Sequence, residues 1–302
     1  MSHPATLKVA TAQYPIGEPK TLEDWEAKLT SWVADGAATG AQLLVFPEYA
    51  AIEQAATLGA AVAASLDATL SGVADLAERR VEFHAELARR HNVHILVGSG
   101  PVRQANGRYV NAAQLVTPRG QVGVQEKLIM TPFEHAWGVV PGAPLRVFET
   151  VLGRIGIAIC YDSEFPILVR AMATAGAELV LVPSCTERLS GYHRIRAGAT
   201  ARALENQIAV VTSPTVGDAL WSPAVDRNTG AAGLFVPPDI TLSDTGVLAE
   251  GRLNDPGWVV GAIDFERLRR LRTSGEMRNF DDWDLQGGPK DSSLKAEIVT
   301  LF

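Results

Sequence analysis

Short apolar runs recur along the chain, and the spacing between them sets the expected elements. Residues 7–14 alternate enough for a first strand. Thr21 and Asp24 form a capping-box pattern that opens a helix through Trp25, Leu29, Trp32 and Val33. Residues 42–46 read as a buried strand. Residues 55–90, rich in Ala, Leu and Glu, read as helices, and 93–98 as another short buried strand. Residues 109–117 and 121–127 are two extended runs joined by Pro118-Arg119-Gly120, a hairpin signal. Beyond them, strands are expected at 155–160, 178–183, 208–213, 230–237 and 258–264. Helices are expected at 165–175, 192–206 and 266–272. Strands and helices that alternate, with hairpins between, imply a mixed α/β sheet protein.

Three of these runs stop abruptly at a reactive side chain. Residues 155–159 are Ile-Gly-Ile-Ala-Ile, then come Cys160, Tyr161, Asp162, Ser163, Glu164, Phe165 and Pro166. This pattern predicts a buried strand, a sharp turn carrying the thiol, and a helix opened by proline. Such a turn exposes a side chain at a sheet edge and aims backbone N–H groups at whatever it attacks. The run ending in Phe46-Pro47 delivers Glu48, and the second hairpin strand delivers Lys127, with Glu134 following in a proline-containing loop. A thiol that attacks a carbonyl or nitrile carbon needs a base and a stabiliser for the resulting oxyanion. Each residue alone has an ordinary reading: a packed core cysteine, a helix-start carboxylate, a solvated lysine, a surface loop glutamate.

In order and local context, Glu48 in FPEY, Lys127 in QEKL and Cys160 in CYDSEFP resemble the Glu-Lys-Cys triad of the nitrilase, or carbon–nitrogen hydrolase, superfamily. Glu134 resembles the second glutamate of many members. The likeness continues through GAELVLVPS, RALENQIAVVTSP and GRLNDPGWVVGAID. It implies a four-layer αββα sandwich, placed at residues 1–273; residues 274–302, polar with Gly287-Gly288-Pro289 and an apolar ending, read as an extended tail that could pack on a partner subunit. It further implies a homodimer or larger homo-oligomer built on the helices after the nucleophile. Glu48 would be the general base, and Lys127 would favour the thiolate and hold the oxyanion together with the N–H of Tyr161. Glu134 would fix Lys127 or the substrate. Tyr161, Trp137 and Trp221 are expected in the pocket wall.

The superfamily contains amidases, nitrilases, carbamoylases and acyltransferases. Nitrilases usually carry Trp-Glu after the cysteine, whereas Tyr161-Asp162 is closer to small-amide hydrolases. Where those often have a hydrophobic residue and an arginine, this chain has Ser163-Glu164. The expected substrate is therefore a small amide, with nitriles, N-carbamoyl compounds and transfer to an amine kept as alternatives.

Composition narrows the rest. With 302 residues, 47% hydrophobic, the chain can bury a large core. A net charge of -7 argues against nucleic acid or an anionic membrane as partner. No apolar run has the length of a membrane span. The first eight residues run directly into a strand, and with two cysteines no disulfide framework is implied, so a reducing cytoplasm is the expected setting. Cys185, near the end of the strand after the Cys160 helix, either lines the same pocket or, as the favoured reading, is a packed thiol. The six histidines are scattered, no phosphate loop is present, and neither metal nor cofactor is called for.

Overall fold

A computed structural model describes residues 4–286 and 298–299. In chain order the first half comprises β1 (Thr6–Pro15), α1 (Leu22–Ala38), β2 (Leu43–Val45), α2 (Ala60–Ala63), α3 (Leu66–Asp75), α4 (Ala77–His91), β3 (His94–Arg103), β4 (Tyr109–Val116), β5 (Val122–Glu126) and α5 (Pro132–Trp137). The second half comprises β6 (Val147–Thr150), β7 (Gly153–Ile157), α6 (Pro166–Thr174), β8 (Leu179–Ser184), α7 (Leu189–Asn206), β9 (Ala209–Asp218), β10 (Arg227–Asn228), β11 (Gly233–Phe235), β12 (Val247–Glu250), β13 (Gly257–Asp264) and α8 (Phe265–Ser274).

The strands form two halves. One runs β13-β1-β2-β3-β4-β5, with β1, β2 and β3 parallel and the outer pairs antiparallel. The other runs β6-β7-β8-β9-β11-β12, with β7, β8 and β9 parallel. The last residues of β1 join them: Tyr14 and Pro15 pair with Thr215 and Val216 of β9.

Burial follows the period-2 alternation of each strand. On β1, Leu7 and Val9 pack into the layer between the sheets, while Ala10, Ala12 and Tyr14 pack under the helices. Leu43 and Val45 separate from Leu44 and Phe46 in the same way, as does Leu96 from Ile95 and Val97. Each of these strands thus reads as a continuous apolar run because both of its faces are covered. Trp25, Leu29 and Val33 of α1, Val73 of α3 and Leu87 of α4 cover one outer face. Val169 and Met172 of α6 and Ile195, Ala199 and Ala203 of α7 cover the other. The result is the expected αββα layering.

Local signals behave as anticipated at several ends. Thr21 caps α1 reciprocally with Asp24. The β4–β5 turn closes with Thr117 N–H on Gln121 O at 3.0 Å, and Gly120 adopts φ +80°. Other expectations need correction. The segment after Lys127 is not all loop: Thr131-Pro132-Phe133-Glu134 is itself a capping box that starts α5. Strand β3 is longer than expected because β4 pairs with it as far as Arg103. The short β6 and β12 are formed by tertiary pairing with β7 and β11.

The expected boundary at 273/274 falls in the last turn of α8. Just beyond it, Phe280 packs on its own chain. Its N–H donates to Gln207 Oε1 at 3.1 Å, and its ring lies under the guanidinium groups of Arg170 and Arg272, 4.3 and 3.8 Å from them. The expected apolar ending at 296–302 lies, except for residues 298–299, outside the described residues.

Candidate active site

Four strand ends converge on one cleft. Beyond β2, Phe46 is wedged edge-on among Tyr14, His84 and Trp258, which fixes the chain entering Pro47 and Glu48. The Pro47 carbonyl accepts from Ser99 N–H at 3.2 Å. Gly98 is required beside it: it has φ +86°, and a Cβ there would stand 2.2 Å from Pro47 O. Tyr49 then turns left-handed at φ 56°.

Lys127 follows β5 directly. Its N–H donates to Asn111 O and its carbonyl accepts from Gly142 N–H, both at 2.8 Å. After β7 the chain stays in register for one more bond, Ala158 N–H to Leu181 O at 2.9 Å. It then reverses at Cys160, a second non-glycine residue with positive φ, 47°. A tight turn, Cys160–Glu164, follows, with Ser163 Oγ donating to Cys160 O at 2.7 Å. Left-handed backbone at non-glycine residues costs on the order of 1–3 kcal/mol and persists where the surroundings impose it. Here it occurs beside the glutamate and at the thiol.

The convergent side chains form one buried network. Lys127 Nζ lies 2.8 Å from Glu48 Oε1 and 2.6 Å from Glu134 Oε2, with all three side chains almost fully excluded from solvent. Asn111 Nδ2 bridges the two carboxylates, donating to Glu48 Oε1 and Glu134 Oε1 at 3.0 Å each. Tyr49 OH donates to Glu134 Oε1 at 2.8 Å, and the Thr131 N–H and hydroxyl donate to Oε2 at 2.9 Å. The second oxygen of Glu48 accepts from Cys185 N–H at 3.0 Å, while the Cys160 thiol donates weakly to Cys185 O at 4.0 Å and lies beside Glu48, whose charge acts on it. Asp162 accepts from the N–H groups of Leu128 and Ile129 at 3.1 and 2.8 Å.

Within the trio Glu48, Lys127 and Glu134, two carboxylates and one ammonium leave one net negative charge. Burial pushes the Lys127 pKa down, but attraction to Glu48 and Glu134 outweighs it and holds the group charged, above its ordinary range. Burial raises Glu48, and Lys127 only partly opposes this. Burial also pushes Glu134 up, yet Lys127, the Thr131 N–H and Tyr49 outweigh it and hold the group below the usual range. The Cys160 thiol is pushed well up, by burial first and then by Glu48, against the pull of Lys127. This corrects one sequence expectation. Lys127 does not by itself yield a resting thiolate, because its charge is already shared by two carboxylates. A thiol proton can leave only if a neighbour takes it, and Glu48 lies beside it and is already biased toward protonation.

The cleft around this network has a volume of about 280 Å³. Tyr161 lines it, together with Phe133, Ile195 and Val225. Its mouth is charged, with Arg194 bound to Glu164 at 3.3 Å and Arg188 and Arg227 nearby. Two expected wall residues lie elsewhere. Trp137 is buried against Tyr49 and Phe133 and donates its indole N–H to Leu66 O at 2.8 Å; it supports the wall from behind. Trp221 packs against the apolar layer under the helices and is not among the lining residues.

Asn111, Tyr49, Asp162 and the Cys185 N–H were not singled out from sequence. Tyr49 and Asp162 had a usable signal, as immediate neighbours of expected site residues. Asn111, a polar residue inside an apolar strand, had a weaker one. Cys185 lines the cleft rather than being merely packed; burial, then Glu48, pushes its thiol up to about 12. Among the described residues no cluster of histidine, cysteine or carboxylate side chains could hold a metal ion, and no helix is long and apolar enough to cross a membrane.

A family model for carbon–nitrogen hydrolases matches residues 8–272. The chain is 33% identical over 277 residues to a probable hydrolase, YhcX, of Bacillus subtilis (strain 168), covering 91% of this chain and 53% of that one. It is also 33% identical over 179 residues to an (R)-stereoselective amidase of Pseudomonas sp, covering 58% and 59% of the two chains. The chain spans about half the length of the curated relatives it matches. Among solved structures, Saccharomyces cerevisiae Nit3, a member of branch 10 of the nitrilase superfamily, aligns with TM-score 0.68 at 19% identity, over 91% of this chain and 97% of that one.

Proposed function

Because the chain belongs to the carbon–nitrogen hydrolase family, we propose that it is an amidase that releases ammonia from a small amide through a thioester on Cys160. The observation that carries this reading is a thiol on a left-handed turn that lines the same cleft as Glu48, beside a lysine held between two carboxylates.

Glu48 takes the thiol proton as Sγ attacks the carbonyl carbon. Negative charge moves from Glu48 to the carbonyl oxygen, where Lys127 Nζ and the Tyr161 N–H receive it. The summed charge of Glu48, Lys127, Glu134 and the reacting oxygen stays at minus one throughout, so no additional charge is desolvated during attack. Protonated Glu48 then gives its proton to the departing nitrogen; ammonia leaves and the thioester remains. Water enters, Glu48 removes its proton, and the hydroxide oxygen bonds to the acyl carbon as the C–S bond breaks. Glu48 returns that proton to the leaving sulfur, so the acid departs and the thiol is restored. Asn111 and Cys185 N–H hold Glu48 in line for both steps, while Glu134 keeps Lys127 charged and aimed.

The cleft volume suits a small acyl group, near the lower end of ordinary ligand pockets. Amidase-named relatives and the Tyr161-Asp162 pair after the nucleophile favour an amide over a nitrile. Like other enzymes that work through a thiol, the protein would suit a reducing cytoplasm, and a homo-oligomer through α6 and α7 remains part of the proposal.

The test is ammonia release from a panel of aliphatic amides and nitriles of matched acyl chain, with Cys160→Ala as control. Amides should be hydrolysed, the matched nitriles should be poor substrates, and the variant should be folded and inactive. Unchanged turnover in Cys160→Ala would refute the thioester route. Faster consumption of the nitrile would refute the amidase assignment alone.

A further inference from the structure

The segment that carries Lys127 leaves the sheet at β5 and enters no strand or helix until α5. The backbone of Lys127 itself is anchored to Asn111 and Gly142. The next two N–H groups, of Leu128 and Ile129, have a side chain as their acceptor: they share the carboxylate of Asp162, one on each oxygen. Asp162 is buried at 2% exposure. It lies in the nucleophile's own turn, where its N–H donates to Ile159 O at 3.0 Å and its carbonyl accepts from Phe165 N–H at 3.2 Å. One carboxylate therefore rivets two segments more than thirty residues apart, one bearing the thiol and the other bearing the ammonium.

We propose that Asp162 is a positioning residue that holds the lysine loop in register with the Cys160 turn, so that Lys127 meets the oxyanion formed on the substrate; this rests on the amide-hydrolase reading. Two of the bonds that orient Lys127 run to Glu48 and Glu134, and both carboxylates must keep their places while the third ammonium proton turns toward the substrate. The direction of that proton depends on where the backbone of residues 127–129 sits. An ionised carboxylate can accept two N–H groups at once, one per oxygen. An asparagine offers one oxygen and would set its own NH₂ against the other N–H.

The charged groups around Asp162 are Lys127 on the loop, Glu134 on α5, Glu48 and Cys160 across the cleft, and Arg202 on α7, whose guanidinium donates to Ser163 O at 3.3 Å. Burial raises the Asp162 pKa first, the two N–H groups and Lys127 draw it back, and it is left at about 6. The rivet is therefore charged at neutral pH and lost on mild acidification.

The experiment compares wild type and Asp162→Asn in two reactions: amide hydrolysis, which builds an oxyanion, and alkylation of Cys160 by iodoacetamide, which does not. The variant should lose about 100-fold in kcat, the scale of a misplacement of about 1 Å. Its KM and alkylation rate should stay close to wild type. Equal losses in turnover and alkylation would overturn the proposal, since Asp162 would then hold only the nucleophile turn. A folded variant with wild-type kcat would overturn it as well. If the variant does not fold, the wild type decides: the backbone amide resonances of Leu128 and Ile129 should titrate together near pH 6. Resonances that do not move through that range would overturn it. A wild type that alkylates at Cys160 and shows this titration, but hydrolyses no amide in the panel, would sink the amide-hydrolase reading and leave the clamp standing.

Discussion

Replacing Glu134 by glutamine tests the network at its most densely bonded point. Each group that touches the Glu134 carboxylate is a donor: Tyr49 OH and Asn111 Nδ2 on one oxygen, Lys127 Nζ and the Thr131 N–H and hydroxyl on the other. Whichever way the new amide is turned, its NH₂ faces donors. The less costly orientation keeps the oxygen toward Lys127 and Thr131, lets the Tyr49 hydroxyl rotate to accept, and breaks the bond from Asn111. The variant then lacks one hydrogen bond to a charged group and the second countercharge of Lys127. A bond of that kind contributes about 1.5–3 kcal/mol. If the loss is felt in the transition state, kcat/KM falls about 10- to 150-fold.

The variant has a second signature. Glu134 raises the pKa of Glu48 and of Asp162, so removing its charge lowers both. The proposed mechanism needs both groups ionised, so the acid limb of kcat/KM should move to lower pH while the plateau drops. The assay is ammonia release across pH with wild type and Glu134→Gln, each checked for folding by thermal melt. A plateau unchanged within experimental scatter, or an acid limb that moves to higher pH, would refute the account of Glu134 as the second countercharge of Lys127.

Other outcomes follow from the same geometry. Iodoacetamide should label Cys160 before Cys185, because the Cys160 thiol sits on a turn beside both Glu48 and Lys127, whereas Cys185 meets Glu48 through its backbone N–H; peptide mapping that finds Cys185 labelled first would contradict this. Lys127→Met leaves two buried carboxylates without their cation and should cost about 3–5 kcal/mol of stability at neutral pH. In that variant the folded-state pKa values of Glu48 and Glu134 lie above their unfolded values. The stability deficit should therefore shrink on acidification and widen as pH rises, and denaturant melts across pH that show the reverse would refute it. Gly98→Ala places a Cβ against Pro47 O at a positive φ and should cost about 2–5 kcal/mol, with a Tm drop measurable by calorimetry. An unchanged Tm there would show that the Pro47–Glu48 segment is not pinned by this contact.

Much of the molecule was legible before any coordinates. Strands buried on both faces announce themselves as unbroken apolar runs, and their ends are marked where polar residues begin. That is why Glu48, Lys127 and Cys160 could be picked out as strand-end residues. Thr21-Asp24 and Pro166 mark helix starts through chemistry confined to one turn, so they too could be read locally. Thr131-Glu134 carries the same local signature and could have been read as a helix start, with the capping carboxylate already committed to its own backbone.

Tertiary structure decided what depends on distance. Sequence could not show that Asn111 reaches both carboxylates, that Cys185 donates its N–H to Glu48, or that Asp162 closes on residues 128 and 129, because the partners lie tens of residues apart: the first meet only when the strands of one sheet align, the others only when the two halves come together. It could not show which side of the wall Trp137 occupies, since an aromatic ring suits either and only the reach of its N–H to Leu66 O fixes it. It also could not fix the protonation of the thiol. A lysine in sequence promises a thiolate, but the folded site excludes water and brings two carboxylates onto that lysine, and the balance of burial against shared charge pushes the thiol pKa up rather than down.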